Sequence, residues 1–97
     1  MAEKVEDLTI AYEEDGQVLV QEIDKEVLSS GAWATVIFRY RELDRARGEY
    51  GPDKYSVRRY QKREGQYQPK SKFNISSAAQ AKKLLAVLSR WTGEEGL

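Results

Sequence analysis

Apolar and polar residues alternate along four stretches of this chain, with the two-residue period of a β-strand. The four predicted strands are residues 17–28, 33–43, 54–63 and 66–75. Clusters rich in Ser, Gly or Asp separate them, as expected for turns and loops. A helix competes with the strand over residues 22–28, because Ile23 and Val27 are four residues apart, but the preceding Val18-Leu19-Val20 run favours the strand.

The strand predicted at residues 33–43 has one face that is far more apolar than the other. Its even-numbered residues are Ala34, Val36, Phe38 and Tyr40. Because successive side chains point to opposite faces of a sheet, this set is predicted to pack on the core. The odd-numbered face then leaves Trp33 and Ile37 in solvent beside two arginines, a mixture that is unusual for an ordinary solvated face.

Helical spacing of apolar residues appears near the C-terminus. Ser77 is a suitable N-cap and Gln80 follows it by three residues, which is the capping-box pattern. Gly93 is predicted to end the helix. The apolar stripe consists of Ala81, Leu84, Leu85, Leu88 and Trp91. Two interpretations of this stripe stay open: packing within the chain alone, or packing combined with a dimer interface.

The predicted order of strands followed by one C-terminal helix indicates the α+β class. At 97 residues the chain is expected to form one domain, which we assign to residues 17–92. Residues 1–16 are predicted to be an acidic arm or an extra strand, with 8–12 as the candidate strand and 13–16 as a turn. Residues 93–97 are expected to be a frayed tail.

Two further segments interrupt the regular pattern. Residues 44–53 form a polar loop that is longer than a tight hairpin turn. Pro69 has no backbone N–H to donate to a central ladder, so it is expected at a sheet edge or a bulge.

Positive charge and aromatic rings are concentrated in the middle of the chain. Residues 33–75 contain eleven Lys or Arg, five acidic residues and eight of the ten aromatic residues. Residues 1–32 contain two Lys and nine acidic residues, so the formal net charge of zero hides a dipolar chain. Cations interleaved with flat rings are typical of surfaces that bind single-stranded nucleic acid, where phosphates meet the charges and bases stack on the rings.

Composition also argues against several classes of function. The chain has no Cys and no His, which excludes disulfides, Cys/His zinc sites and a His-based catalytic triad. We therefore expect the protein to have no enzymatic activity, no cofactor and no bound metal ion. The sequence has no apolar run long enough to span a membrane, and its acidic, polar N-terminus does not resemble a secretory signal. A cytoplasmic protein is expected, associated with the nucleoid if it binds DNA.

Residues 52–60 (PDKYSVRRY) and 65–75 (GQYQPKSKFNI), followed by the predicted helix, resemble the transcriptional positive cofactor four family of single-stranded-DNA-binding proteins. The purine-rich-element-binding proteins share a related ββββα plan and are the second resemblance. The resemblance implies a curved antiparallel sheet of four to five strands, a helix behind it and a homodimer that pairs through the helices. It also implies a basic, aromatic sheet surface for unpaired DNA, and we expect single-stranded DNA or RNA as the partner. The acidic first 32 residues are a departure, since they could screen that surface or fold over it.

The predicted site combines this resemblance with the charge pattern. By position, Arg58 and Tyr60 match an arginine and an aromatic residue of the family's third strand, and Lys70 and Lys72 match basic residues of its fourth. The predicted nucleic-acid contacts are Trp33, Arg39, Arg41, Arg58, Tyr60, Lys62, Tyr67, Lys70 and Lys72. The predicted core or dimer contacts of the helix are Leu84, Leu85, Leu88 and Trp91. For the three aromatic residues of the first set, a place in the core is the alternative. The alternative function is a homodimeric protein–protein interaction module that binds no nucleic acid.

Overall fold

The computed structural model describes residues 2–93, which form a curled antiparallel sheet followed by one helix. The elements are β1 (Tyr12–Glu14), β2 (Gln17–Ser29), β3 (Trp33–Asp44), β4 (Glu49–Tyr50), β5 (Lys54–Arg63), β6 (Gln66–Ile75) and α1 (Ala78–Thr92). A single 3-10 turn precedes them at Val5–Asp7. The predicted α+β class and the four main strands are confirmed, including the strand rather than helix over residues 22–28.

Neighbouring strands pair in the order β1-β2-β3-β5-β6, and the two-residue β4 pairs separately with the end of β3. Glu64 and Gly65, both with positive φ, form the two-residue turn between β5 and β6, a turn whose twist matches that of the flanking strands. In β6 the pairing passes from Arg59 opposite Ser71 to Tyr60 opposite Pro69, so Lys70 is an extra, bulged residue. Pro69 therefore lies on an edge strand beside a bulge, as predicted.

The core lies on one face of the sheet, beneath residues 2–11, which we call the N-terminal arm. The face it covers, the arm-side face, includes the buried Ala34, Val36, Phe38 and Tyr40 of β3 together with Ser56 and Tyr60 of β5. The arm contributes the buried Val5, Leu8 and Ile10 to the same cluster. The predicted apolar face of residues 33–43 is thus confirmed as the core face.

The predicted short strand at residues 8–12 is wrong. Leu8 and Ile10 belong to the irregular arm, where they bury their side chains against the sheet instead of pairing with a strand. The edge strand begins at Tyr12, and Asp15-Gly16 is the turn that follows it. Residues 2–16 therefore provide both an arm and a short extra strand.

The helix is capped as its sequence predicts. The Gln80 backbone N–H donates to Ser77 Oγ at 3.1 Å, and the Ser76 backbone N–H donates to Gln80 Oε1 at 3.0 Å. Gly93 ends the helix in the left-handed conformation. Residues 94–97, most of the predicted tail, lie outside the described residues.

The prediction that the helix stripe packs into the core of its own chain is wrong for most of its members. The helix meets the sheet mainly along the edge strand β6. Leu84 is half-buried, but Leu85, Leu88 and Trp91 are 55%, 47% and 75% exposed. The arm, and not the helix, covers the apolar face of β3. The Cα radius of gyration is 15.2 Å, larger than the roughly 13 Å expected for a compact domain of this length.

Candidate nucleic-acid interface

The strand order separates the charges of the chain across the sheet. Strand β2, on one side, contains Glu22, Asp24 and Glu26. Strands β5 and β6, on the other side, have a strong excess of cations, since residues 55–75 contain six Lys or Arg and one acidic residue. The dipole seen along the sequence is therefore also a dipole in space, and an anionic partner is attracted to the β5–β6 side.

Two of the predicted cations share one acidic residue as their partner. Arg39 Nε and Arg41 Nε each donate to one carboxylate oxygen of Asp53 at 2.5 Å. These hydrogen bonds, of which the one from Arg41 has the larger effect and the one from Arg39 the smaller, hold the pKa of Asp53 below its ordinary 3.8. Both arginines lie on the face opposite the arm, and Asp53 offsets one of their two positive charges.

The other cations of the predicted set behave differently, and we call them the basic strip. They are Arg58, Lys62, Lys70 and Lys72. Within residues 2–93, none of the four lies within 4 Å of a carboxylate oxygen, whereas Arg45, Arg47 and Lys54 each form such a pair. Arg58 and Lys72 are direct cross-strand partners, and like charges placed opposite one another destabilise a sheet. An anion bound between them would relieve this repulsion.

Arg58 is held in place by the buried hydroxyl group of Ser56, which is itself hydrogen-bonded to Asn74 on the next strand. Its Nε donates to Ser56 Oγ at 3.1 Å, and the Ser56 hydroxyl donates to Asn74 Oδ1 at 2.7 Å. Ser56 is fully buried, so its position is fixed by the core. The guanidinium of Arg58 is thereby oriented in advance, which reduces the entropy lost when it binds a ligand.

The bulge in β6 brings three members of the basic strip together. Arg58, Lys70 and Lys72 line a shallow cavity of about 340 Å³ with Pro69 and Ser71. Arg58 and Lys72 also line a neighbouring cavity of similar volume closer to β3. A phosphate group placed in the first cavity would meet three positive charges and a hydroxyl group.

The rings predicted to stack on bases are not on this surface. Tyr60 and Tyr67 are 5% and 4% exposed and belong to the core cluster under the arm, so the core alternative left open for them is what the structure has. Burial raises the pKa of Tyr60 above its ordinary value, and the nearby Arg58 offsets part of that rise. The Tyr67 hydroxyl donates to the Gly31 carbonyl at 2.6 Å.

Trp33 is the one ring of the predicted set that is accessible to solvent. It is 42% exposed on the face opposite the arm, and the guanidinium of Arg59 lies 4.7 Å from its ring centroid. The alternative position of Trp33, beneath the helix, is therefore not what the structure has. The accessible ring and the basic strip lie on opposite faces of the sheet. A single nucleic-acid strand therefore cannot contact both without passing around an edge of the sheet.

Sequence reasoning missed how the arm is fastened. Lys25 Nζ donates to the backbone carbonyls of Glu6 and Leu8 at 2.5 and 2.6 Å, and Thr9 Oγ1 donates to Glu22 Oε1 at 2.6 Å. The Tyr67 backbone N–H donates to the Ala2 carbonyl at 2.8 Å. A signal was present, because Lys25 is one of only two cations among the first 32 residues.

The part of the chain that the structure describes has neither a cluster of metal ligands nor a helix that could span a membrane. Residues 2–93 contain no group of three acidic side chains arranged to hold a metal ion. In the same range, α1 is too short and too polar to cross a membrane.

No protein family model, curated protein or solved structure matches this chain. The candidate interface therefore depends on the geometry and charge described above.

Proposed function

We propose that this protein binds single-stranded nucleic acid through the basic strip on the arm-side face of β5 and β6. The observation that carries the proposal is that Arg58, Lys62, Lys70 and Lys72 lie together on one face of two paired strands, with no carboxylate within 4 Å of any of them among residues 2–93. Such a group is unfavourable in the free protein and favourable beside a polyanion. The segregation of acidic strands to the other side of the sheet orients the approach of that polyanion.

Phosphate contacts dominate this binding mode. Tyr60 and Tyr67 are covered by the arm, so stacking, which is worth about 1–3 kcal/mol per base, adds little unless the arm moves. Weak sequence preference follows, because phosphates carry no base information. A role in transcription or replication within the cytoplasm is the setting that the resemblance suggests.

The proposal is tested by titrating a fluorescein-labelled oligo-dT with protein at several salt concentrations and measuring anisotropy. Neutralising about four phosphates on a single strand gives a log–log slope of roughly −3. Replacing Arg58 or Lys72 with Gln is expected to reduce the steepness of that slope by about 0.7 each. The absence of binding at low salt would remove the proposal.

Arg39→Gln is the matched control. This variant also removes a guanidinium group, but from the neighbouring strand β3, where it is paired with Asp53 on the opposite face. We expect the slope of this variant to match that of the unmodified protein. A loss as large as that of Arg58→Gln would mean that charge anywhere on the sheet is sufficient, which contradicts a defined strip.

A homodimeric interaction module is the second candidate, and the helix surface favours it. Leu85, Leu88 and Trp91 are exposed along one side of α1, and large apolar patches of this kind mark interaction surfaces. A second copy of the chain is the occupant that we propose, because two such stripes can bury each other about a two-fold axis. Lys82, Lys83 and Arg90 lie off the stripe, so the pairing need not bring their like charges together. Dimerisation is compatible with nucleic-acid binding, since the basic strip lies on the sheet.

A further inference from the structure

A large cavity lies between the N-terminal arm and the turn end of strands β5 and β6. Its volume is about 670 Å³, within the range of about 300–1,000 Å³ that is usual for small-molecule sites. The arm forms one wall with Glu3, Lys4 and Asp7, and the strands form the other with Arg58 and Tyr60. Neither the resemblance nor the charge pattern predicted this cavity, because the arm creates it by folding over the sheet.

Two groups on the strand wall are suited to an anion. Arg58 keeps its planar fork of N–H donors clear of any carboxylate among residues 2–93, and its Nε is fixed by Ser56. Tyr60 is buried except where it lines the same cavity. Burial raises the pKa of Tyr60, and the charge of Arg58 lowers it against that rise, since the two side chains are close together. An oriented guanidinium beside a phenolic hydroxyl group supplies several donors to a single phosphate.

We propose that this cavity binds one nucleoside monophosphate unit, with its phosphate monoester on Arg58 and Tyr60 and its base towards the arm. The monoester carries close to two negative charges at neutral pH, against one for a phosphodiester within a strand. The terminal nucleotide of a 5′-phosphorylated strand and a free mononucleotide share this chemistry. The site therefore extends the proposed function. Its strand-end ligand rests on that function, since it requires the protein to bind single-stranded nucleic acid.

The arm wall sets the selectivity of the cavity. Glu3 and Asp7 repel a second or third phosphate group and can accept hydrogen bonds from the exocyclic amino groups of a base. Lys4, on the same wall, adds a single positive charge. A monophosphate with an amino-bearing base, such as adenosine 5′-monophosphate, is expected to bind more tightly than adenosine triphosphate or adenosine.

The test is a titration of the ¹⁵N-labelled full chain, followed by amide chemical shifts, with adenosine 5′-monophosphate, adenosine and adenosine triphosphate at millimolar concentrations. We expect the monophosphate to shift amides of the arm, Arg58, Tyr60 and Tyr67. Tyr60→Phe removes only the hydroxyl group and should weaken this binding about tenfold, as for a hydrogen bond to a charged group. Arg58→Gln should abolish it. Arg59→Gln, which alters the adjacent residue on the opposite face, should leave it unchanged.

Parallel titrations with oligo-dA bearing a 5′-phosphate or a 5′-hydroxyl distinguish the two sources of the ligand. Tighter binding of the phosphorylated strand assigns the site to strand ends, and binding of the mononucleotide alone assigns it to free nucleotide. Equal binding of both strands with no monophosphate shifts would overturn the cavity site and leave the proposed function intact. Monophosphate binding without binding of either strand would overturn the proposed function and leave the site. Equal chemical-shift changes from adenosine and from the monophosphate would also overturn the cavity site, because they would show that the phosphate group contributes nothing to binding.

Discussion

Replacing Leu8 with Ala tests whether the arm is a structural layer of the domain. Leu8 is 6% exposed and packs in the core cluster with Phe38 and Tyr60. The change removes three carbon groups, worth about 2.4 kcal/mol of transfer free energy at roughly 0.8 kcal/mol each. The irregular arm can relax into the space left behind, so the total should stay at the lower end of the range of about 2–5 kcal/mol for such changes. We expect a loss of about 2–3 kcal/mol, which lowers Tm by roughly 10–20 °C in a domain of this size.

Leu85→Ala is the matched control for the same assay, urea denaturation followed by circular dichroism at two protein concentrations. Leu85 is 55% exposed on α1, and Leu and Ala have similar helix propensities, so its loss should be below about 0.5 kcal/mol in the monomer. A loss that grows with protein concentration would report a dimer through the helix. The reasoning is refuted if Leu8→Ala is neutral, or if Leu85→Ala costs as much at every concentration. The first result would mean that the arm is not a packed layer, and the second that Leu85 is buried within its own chain.

Three further predictions concern the charges and the helix. The lowered pKa of Asp53 means that its pairs with Arg39 and Arg41 stabilise the fold above the unfolded pKa of about 3.8, and that this stability is lost as the pH falls through the lower folded value. Urea denaturation between about pH 5 and pH 2 should therefore be less pH-dependent in Asp53→Asn, and identical profiles would contradict the pairing. Leu88→Glu should convert a dimer to a monomer in sedimentation velocity without loss of circular dichroism signal, and an unchanged sedimentation coefficient would exclude the helix interface. In a spectrophotometric titration, Tyr60 should ionise above the ordinary tyrosine pKa of 10, so Tyr60→Phe should remove a late-titrating component.

Much of the sheet could be predicted because its signals are local. The Glu64-Gly65 turn fixes the register of β5 and β6, and both strands have the predicted bounds. The two faces of β3 followed from the alternation of its side chains, which needs no knowledge of partners. The helix ends were likewise set by Ser77 and Gly93, residues whose backbone preferences act within one turn.

The partner of the apolar face could not be predicted. The helix had the stronger amphipathic pattern, so it was the natural candidate to cover β3. The arm has no period, because Val5, Leu8 and Ile10 bury their side chains from a turn and an irregular segment. Its attachment depends on Lys25 and on the backbone of residues 2–8, contacts that bridge about twenty residues and leave no repeating signal. Tertiary packing overrode the local pattern at this point.

The candidate site, like the fold, could be predicted only in part. Arg39 and Arg58 had the same appearance in the sequence, as cations on aromatic-rich strands. What distinguishes them is Asp53, which follows Arg39 by 14 residues and reaches its guanidinium only because the loop before β5 returns along β3. Residue type therefore identified the candidate cations as a group, and the fold alone separated those paired with Asp53 from the basic strip.

This separation has a consequence for how affinity responds to conditions. With Tyr60 and Tyr67 beneath the arm, the proposed binding of nucleic acid to the basic strip would rest on charge, so it should fall steeply as salt rises. Any process that lifts the arm would add stacking, which is insensitive to salt, while exposing the core that Leu8 covers. Lifting the arm would expose Val5, Leu8 and Ile10, at about 1.5–3 kcal/mol each, which is more than the gain of about 1–3 kcal/mol from each of two stacked bases. The arm should therefore stay down when an oligonucleotide binds, and the salt slope should not change with oligonucleotide length once the basic strip is filled.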